Sequence, residues 1–177
     1  MYCRKITLVT MTLLFGMTLA ANAYAKWMTE FEDDIFNDAK KVVMVGEVEK
    51  AGFLAFECEN NILTASYIEA ADVSQIQEGI FSDMYIKIDN SPRVRLSGVS
   101  VIRNQKSFAM QGDGPTDSIK ILIKELHNAK ERFLFGFKTE QGGKFSSSGD
   151  VDGSTGAVEK FVKACSVDIP LSTVAVN

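Results

Sequence analysis

Three cysteines occur in this 177-residue chain, and their placement limits its folding more than any other feature. Cys3 lies ahead of an apolar stretch, Ile6 to Ala21, that contains Leu13, Leu14, Phe15 and Leu19. Arg4 and Lys5 make the start of that stretch positive. Small residues in an A-x-A pattern end it, as Ala21-Asn22-Ala23 or Ala23-Tyr24-Ala25. These are the three regions of a cleavable secretory leader. Residues 1–25 are therefore expected to be removed, with the cut after Ala23 or Ala25. The apolar core is about 15 residues long and carries threonines, short of the ~20 residues of a spanning helix. No cysteine follows the core at the cut, as a lipoprotein would require.

Cleavage would leave Cys58 and Cys165 in an oxidising compartment, where two cysteines in one domain most simply form one disulfide. Such a bridge closes a loop of over a hundred residues, for which chain entropy sets an upper figure of ~4.7 kcal/mol. Two buried free thiols, or a bond between molecules, are the alternatives. A zinc shell is not completed, because His127 is the only histidine and two cysteines are too few.

About 150 residues remain, enough for one domain over 26–170 with a short, frayed tail over 171–177. Removing Arg4 and Lys5 from 19 basic residues set against 23 acidic ones moves the net charge from −4 to −6. An acidic surface argues against nucleic acid and anionic lipid, both of which reward positive charge. No second apolar span follows, so no membrane anchor is expected after cleavage, and the localisation is periplasmic or secreted.

The patterning is mostly β. Lys26 to Asn37 is an acidic leader segment whose Trp27, Phe31 and Ile35 suggest a short helix or a packed loop. Val42 to Val45 is a β-branched run, and Phe53 to Cys58 is a second strand beyond a turn at Ala51-Gly52. Glu59-Asn60-Asn61 turns the chain into a return strand, Ile62 to Ile68. Residues 70–82 look like a loop. Met84 to Ile88 and Val94 to Ile102 follow as strands around Asn90-Ser91-Pro92, and Ser107 to Met110 pairs back before a turn at Gly112-Asp113-Gly114-Pro115. Ile119, Leu122, Ile123 and Leu126 stand at i, i+3, i+4 and i+7, which predicts a helix starting at Thr116 or Asp117. Phe133, Phe135 and Phe137 share one face of a strand from Arg132 to Lys138. A turn at Gln141-Gly142-Gly143 leads to Lys144–Gly149, and a last helix from Gly156 to Cys165 buries Val158, Phe161, Val162 and Cys165. Hairpin-length links without β-helix-β alternation argue against a parallel sheet. The fold class is α+β and β-rich, an antiparallel β-sandwich or curled sheet with two packed helices.

Several of these pieces carry a family resemblance. Trp27 opens the domain, Asp33-Asp34-Ile35-Phe36-Asn37-Asp38 precedes the strand Lys41 to Val48, and Phe53-Leu54-Ala55-Phe56-Glu57-Cys58 runs into Asn61-Ile62-Leu63-Thr64. Tyr85-Ile86-Lys87-Ile88-Asp89 is a strand entering a polar turn, a helix precedes Phe133 to Phe137, and Ala157 to Cys165 ends on the second cysteine. This order resembles the periplasmic VasI/TagO-type proteins associated with type VI secretion. The resemblance implies a β-rich disulfide domain with an accessory, non-enzymatic role, and it implies pairing of Cys58 with Cys165. Asp150 to Thr155 is an apparent insertion relative to that pattern. An inhibitor or immunity protein that blocks an exported enzyme is the alternative of another class, and either role implies a protein partner.

Candidate chemistry is sparse. A hydrolase needs a nucleophile beside its base, and no such motif accompanies His127, expected as a surface or capping histidine. Glu57 and Glu59 share a strand face and are expected as solvated charges. Arg93 and Arg95 share another, with Arg103 and Lys106 following on the same sheet region. They form either a small anion or partner patch or the wet face of an antiparallel strand. The most specific pattern is Ser148-x-Asp150-x-Asp152-Gly153-x5-Glu159, which matches positions 3, 5, 6 and 12 of a calcium loop. Serine at position 1, Thr155 in place of an apolar anchor and the lack of an entering helix count against it. A Gly/Asp turn with Ser154 or Thr155 capping the last helix explains the same residues. No metal and no cofactor is therefore expected.

Overall fold

The computed structural model describes residues 26–33, 40–50, 52–114 and 116–171. The expected leader, the stretch 34–39 and the tail from 172 onward lie outside the described residues. Nine strands form one open antiparallel sheet in the order β1-β2-β3-β4-β7-β6-β5-β8-β9. They are β1 (Trp27–Asp33), β2 (Lys40–Glu47), β3 (Phe53–Glu59), β4 (Ile62–Ala70), β5 (Phe81–Ile88), β6 (Val94–Asn104), β7 (Ser107–Asp113), β8 (Arg132–Thr139) and β9 (Lys144–Asp150). Helix α1 (Thr116–Asn128) precedes β8, and α2 (Ser154–Cys165) follows β9. The architecture is the expected curled, β-rich sheet with two packed helices.

Alternation explains most strands. In β5, Met84, Ile86 and Ile88 face the core, and in β8 Phe133 and Phe135 do the same. The α1 stripe of Ile119, Leu122, Ile123 and Leu126 is wholly buried, and α2 contributes Ala157, Val158 and Phe161. Val162, expected inside, is only half-buried. The helices meet end to start. The Ser154 hydroxyl donates to the Leu126 carbonyl and that of Thr155 to the His127 carbonyl, both at 2.9 Å. Last-turn carbonyls of α1, which lack partners within their own helix, are thereby satisfied. Neither hydroxyl caps α2, whose N-cap is Gly153 at φ 81° with no side-chain bond.

The described part of the acidic leader segment corrects the helix-or-loop expectation. It is strand β1, paired in register with β2 from Trp27 opposite Gly46 to Asp33 opposite Lys40. The spacing of Trp27 and Phe31 fits a helix, but Phe31 is 56% exposed and only Trp27 is fully buried. Pairing with the β-branched run of β2 outweighs that weak periodicity. The loop expected over 70–82 contains a short 3₁₀ turn, Val73–Gln75, and gives way to β5 at Phe81. Gly112 and Asp113 belong to β7 rather than to a turn, because Gly112 pairs with both Ala65 and Gly98.

The sheet curls until its two ends touch. The Trp27 amide donates to the Asp152 carbonyl at 3.1 Å, and the Glu49 amide donates to the Ser148 carbonyl at 2.8 Å. Trp27 lies edge-on to Phe133 at 5.4 Å, and Tyr67 stacks on Phe135 at 5.0 Å, so rings from distant strands meet in one core. Two glycines permit the closure. A Cβ on Gly46 would enter the Trp27 indole, and one on Gly149 would enter the Glu47 carbonyl and the Phe133 ring. Cys58 of β3 and Cys165 at the end of α2 form a disulfide with Cα atoms 5.9 Å apart, fastening the last helix to the sheet. No helix among the described residues is long and apolar enough to cross a membrane.

Candidate functional site

The outward side of β5, β8 and β9 carries a shallow trough of about 410 Å³. Strand register builds it row by row. Tyr85, Gly136 and Ser146 form the central row, because Tyr85 pairs with Gly136 and Gly136 with Ser146. Gly136 has no side chain, so the row dips between Tyr85 and Ser146. On one side lies the row of Lys87 and Leu134, and on the other the row of Asp83, Lys138 and Lys144, of which the two lysines line the trough. Arg93, from the turn between β5 and β6, lies over the Tyr85 ring with its guanidinium carbon 4.9 Å from the ring centre. That contact is worth ~0.5–1 kcal/mol at an exposed site.

Four cations therefore line the trough, and no carboxylate does. Among the described residues none of Lys87, Arg93, Lys138 and Lys144 forms an ion pair. The nearest acid by register, Asp83, is engaged elsewhere. Arg95 donates to its Oδ1 from Nε at 2.9 Å and from Nη2 at 2.6 Å. These bonds hold the Asp83 carboxyl below its usual range, with lesser help from the charge of Lys138. Lys138 and Lys144 are a directly opposed cross-strand pair of like charge, an arrangement that destabilises a sheet unless something negative stands near it.

The arginines singled out in the sequence separate in the structure. Arg93 belongs to the trough, and Arg95 stands beside it, neutralised by Asp83. Arg103 does not join them. It bonds Glu57 of β3, although β4 and β7 stand between their strands in the sheet. Lys41 holds the other Glu57 oxygen at 3.2 Å. Glu57 is thus a buried tie across a folded sheet face rather than the expected solvated charge, and Glu59 alone stays exposed.

The calcium candidates are not brought together. The Ser148 hydroxyl bonds Glu49, Lys26 donates to Asp150 at 3.2 Å, and Glu159 faces His127 at 3.5 Å. The Asp152 amide donates to the Asp150 carboxylate at 3.1 Å, closing a small turn within the chain. This amide bond and the Lys26 bond hold the Asp150 carboxyl below its usual range. Ser148 and Asp150 lie on one face of an extended strand but two residues apart, ~6.6 Å at ~3.3 Å per residue, and Asp152 falls beyond the strand's end, so the oxygens are not gathered. No group of three or more potential metal-ligating side chains converges among the described residues. His127, expected as a surface or capping histidine, lies in the last turn of α1, and its side chain is 11% exposed and faces Glu159 of α2.

Comparison of the chain with family models, with curated proteins and with solved structures returns no match. Function is therefore argued from the trough. Lys87, Lys138 and Lys144 carry no signal of their own in the sequence, because each looks like an ordinary wet-face charge of its strand. A signal was nevertheless present in Arg132 to Lys138. Between inward phenylalanines, the outward positions hold Leu134 and Gly136 instead of polar residues, and Leu134 is 37% exposed.

The trough's chemistry suits recognition of negative charge. Lysines and arginine supply donors, Tyr85 and Leu134 supply apolar contact, and Gly136 lets a ligand approach the backbone.

Proposed function

We propose that this chain is an exported, non-enzymatic binding protein that engages a protein partner through the β5–β8–β9 trough. The observation that carries this reading is the trough itself: four cations that form no ion pair among the described residues, around an apolar floor, on a chain whose net charge is −4. Export rests on the leader pattern of residues 1–25, and the Cys58–Cys165 bridge is compatible with an oxidising compartment. An accessory role beside a secretion system follows the resemblance to VasI/TagO-type proteins.

The test has two parts. Tagged protein recovered by osmotic shock should begin at Tyr24 or Lys26. It should also capture a protein that, once identified and purified, binds the wild type at least tenfold more tightly than Lys138→Glu/Lys144→Glu. Retention of Met1 on cytoplasmic protein would overturn export. Equal binding by the folded double variant would overturn the trough as the binding face.

A further inference from the structure

We propose that the occupant of the trough is an extended acidic segment of a partner protein, with carboxylates on both sides of one apolar side chain. The inference rests on the trough being the binding face and names what that face recognises.

Geometry sets the length. The trough crosses two strand spacings from β5 to β9, about 10 Å, and runs from Leu134 to Lys138, about 13 Å at ~3.3 Å per residue. Three to four residues of extended chain, by the same ~3.3 Å rise, fill that length.

The distribution of charge sets the pattern. Lys138 and Lys144 oppose each other at one end, and the acid on the far side of Lys138, Asp83, is bonded to Arg95. A carboxylate placed there accepts from both and removes their mutual repulsion. Lys87 and Arg93 flank Tyr85, so a second carboxylate is matched on that side. Between the two, Gly136 carries no side chain and Leu134 offers an exposed apolar surface. An apolar residue flanked by acids therefore meets complementary groups at every position.

Insertion as an extra strand is not the mode. Three carbonyls on the outward edge of β9 are already taken: Ser146 by Lys50 at 2.8 Å, Ser148 by the Glu49 amide at 2.8 Å and Asp150 by the Trp27 indole at 2.8 Å. The segment lies across the face and is held by side chains.

Fluorescence anisotropy with the oxidised protein tests this. The probe is a labelled peptide of about six residues, with glutamates on both sides of a phenylalanine, in roughly 50 mM salt, where exposed charges are weakly screened. Binding should weaken at least tenfold when glutamines replace the glutamates. It should weaken similarly in Lys138→Gln/Lys144→Gln, and severalfold in Leu134→Ser, with circular dichroism confirming each fold. Excess inorganic phosphate should compete poorly. Equal binding of the glutamine peptide overturns the proposal, as does displacement by phosphate as effective as by unlabelled peptide, which would mark a small-anion site. Tighter binding of a single-stranded oligonucleotide would also overturn it, as would binding unchanged in the double lysine variant. If no peptide binds while the identified partner still distinguishes wild type from Lys138→Glu/Lys144→Glu, the acidic-segment inference fails and the trough stands as the binding face. If that distinction is lost too, both fail.

Discussion

The indole nitrogen of Trp27 donates to the backbone carbonyl of Asp150 at 2.8 Å, joining the first strand of an open sheet to the last. An open nine-stranded sheet has two edges, and exposed edges invite pairing with other chains. Here β9 is covered by Trp27, Glu49 and Lys50, residues from β1 and from just past β2. The same indole packs on Phe56 and Phe133, so edge protection and core packing depend on one side chain.

Trp27→Phe should retain ring packing but leave the Asp150 carbonyl without its donor. The expected cost is ~1–3 kcal/mol, the range for a desolvated group left unbonded. Urea unfolding followed by far-ultraviolet circular dichroism measures it. The wild type offers an internal check, because Trp27 is the only tryptophan and its emission should shift to the red in the same transition. A variant as stable as wild type would show that this bond does not hold the sheet ends together.

The Cys58–Cys165 bridge spans 107 residues of sequence and ties α2 to β3. Reduction should lower unfolding free energy by ~2–5 kcal/mol, as for native disulfides in small exported domains. Parallel denaturation curves with and without reductant give the difference. Equal midpoints would mean that the helix is held by its buried face and its hydrogen bonds without help from the bridge.

Legibility in the sequence followed the range of the interactions. Phe133 and Phe135, or the α1 stripe, announce themselves because periodicity is local and burial follows it. β1 was misread because its strand identity comes from pairing with β2, and one buried residue, Trp27, gives no period of its own. Glu57 looked like a wet-face charge because its partners, Lys41 and Arg103, lie on other strands. Arg103 reaches it only through the sheet's curl. The trough belongs to the same class. Tyr85, Gly136 and Lys144 become neighbours only once β5, β8 and β9 are in register. The calcium pattern failed for the converse reason: its spacing is local, but a strand spreads side chains that a loop would gather.

Glu57→Ala should be among the most damaging single polar changes. It leaves Arg103 without its carboxylate and Lys41 with only Glu32, at 3.2 Å, over a mostly buried site, and breaking a buried pair typically costs up to ~3–5 kcal/mol. Glu57→Gln keeps the shape and some hydrogen bonds and should cost less. Thermal melts of the two variants check the order. A melt of Glu57→Ala matching wild type would show that the tie is not needed to fold that face.

Asp89 gives the clearest pH dependence. Partial burial pushes its carboxyl up, but the amides of Arg132, Lys130 and Glu131, bonded at 2.7 to 3.0 Å, outweigh it and hold the group below its usual range. A carboxyl depressed by folding stabilises above its unfolded value, ~3.9, and that contribution is lost as the pH falls through the folded value. Asp89 has φ 45°, a conformation asparagine tolerates, so Asp89→Asn removes the charge without new strain. The variant should be less stable at pH 7 by ~0.5–1.5 kcal/mol, the net scale of one ordinary hydrogen bond. The gap between the two proteins should close below about pH 4, as the wild-type carboxyl protonates. A gap that stays constant down to pH 2 would assign the effect to geometry rather than charge.

Lys144 provides a test in which stability and binding move in opposite directions. In the free protein it opposes Lys138 across β8 and β9, and the acid on the far side of Lys138, Asp83, is paired with Arg95. Opposed like charges destabilise a sheet, by ~0.2–1 kcal/mol if they mirror the gain from opposite charges. Lys144→Gln removes that repulsion, and Lys144→Glu replaces it with attraction. Melting temperatures should therefore rise from wild type through Lys144→Gln to Lys144→Glu, and the differences should shrink as salt screens the exposed pair. Affinity for the acidic peptide should fall in the same order. A residue placed for solubility alone would leave binding unchanged, and one placed for folding would lower the melting temperature on replacement. Only a residue retained for an anionic partner gives a more stable protein that has lost its ligand, the exchange of stability for function seen at binding sites. A melting temperature that falls in Lys144→Glu would show that the pair is already relieved within the fold.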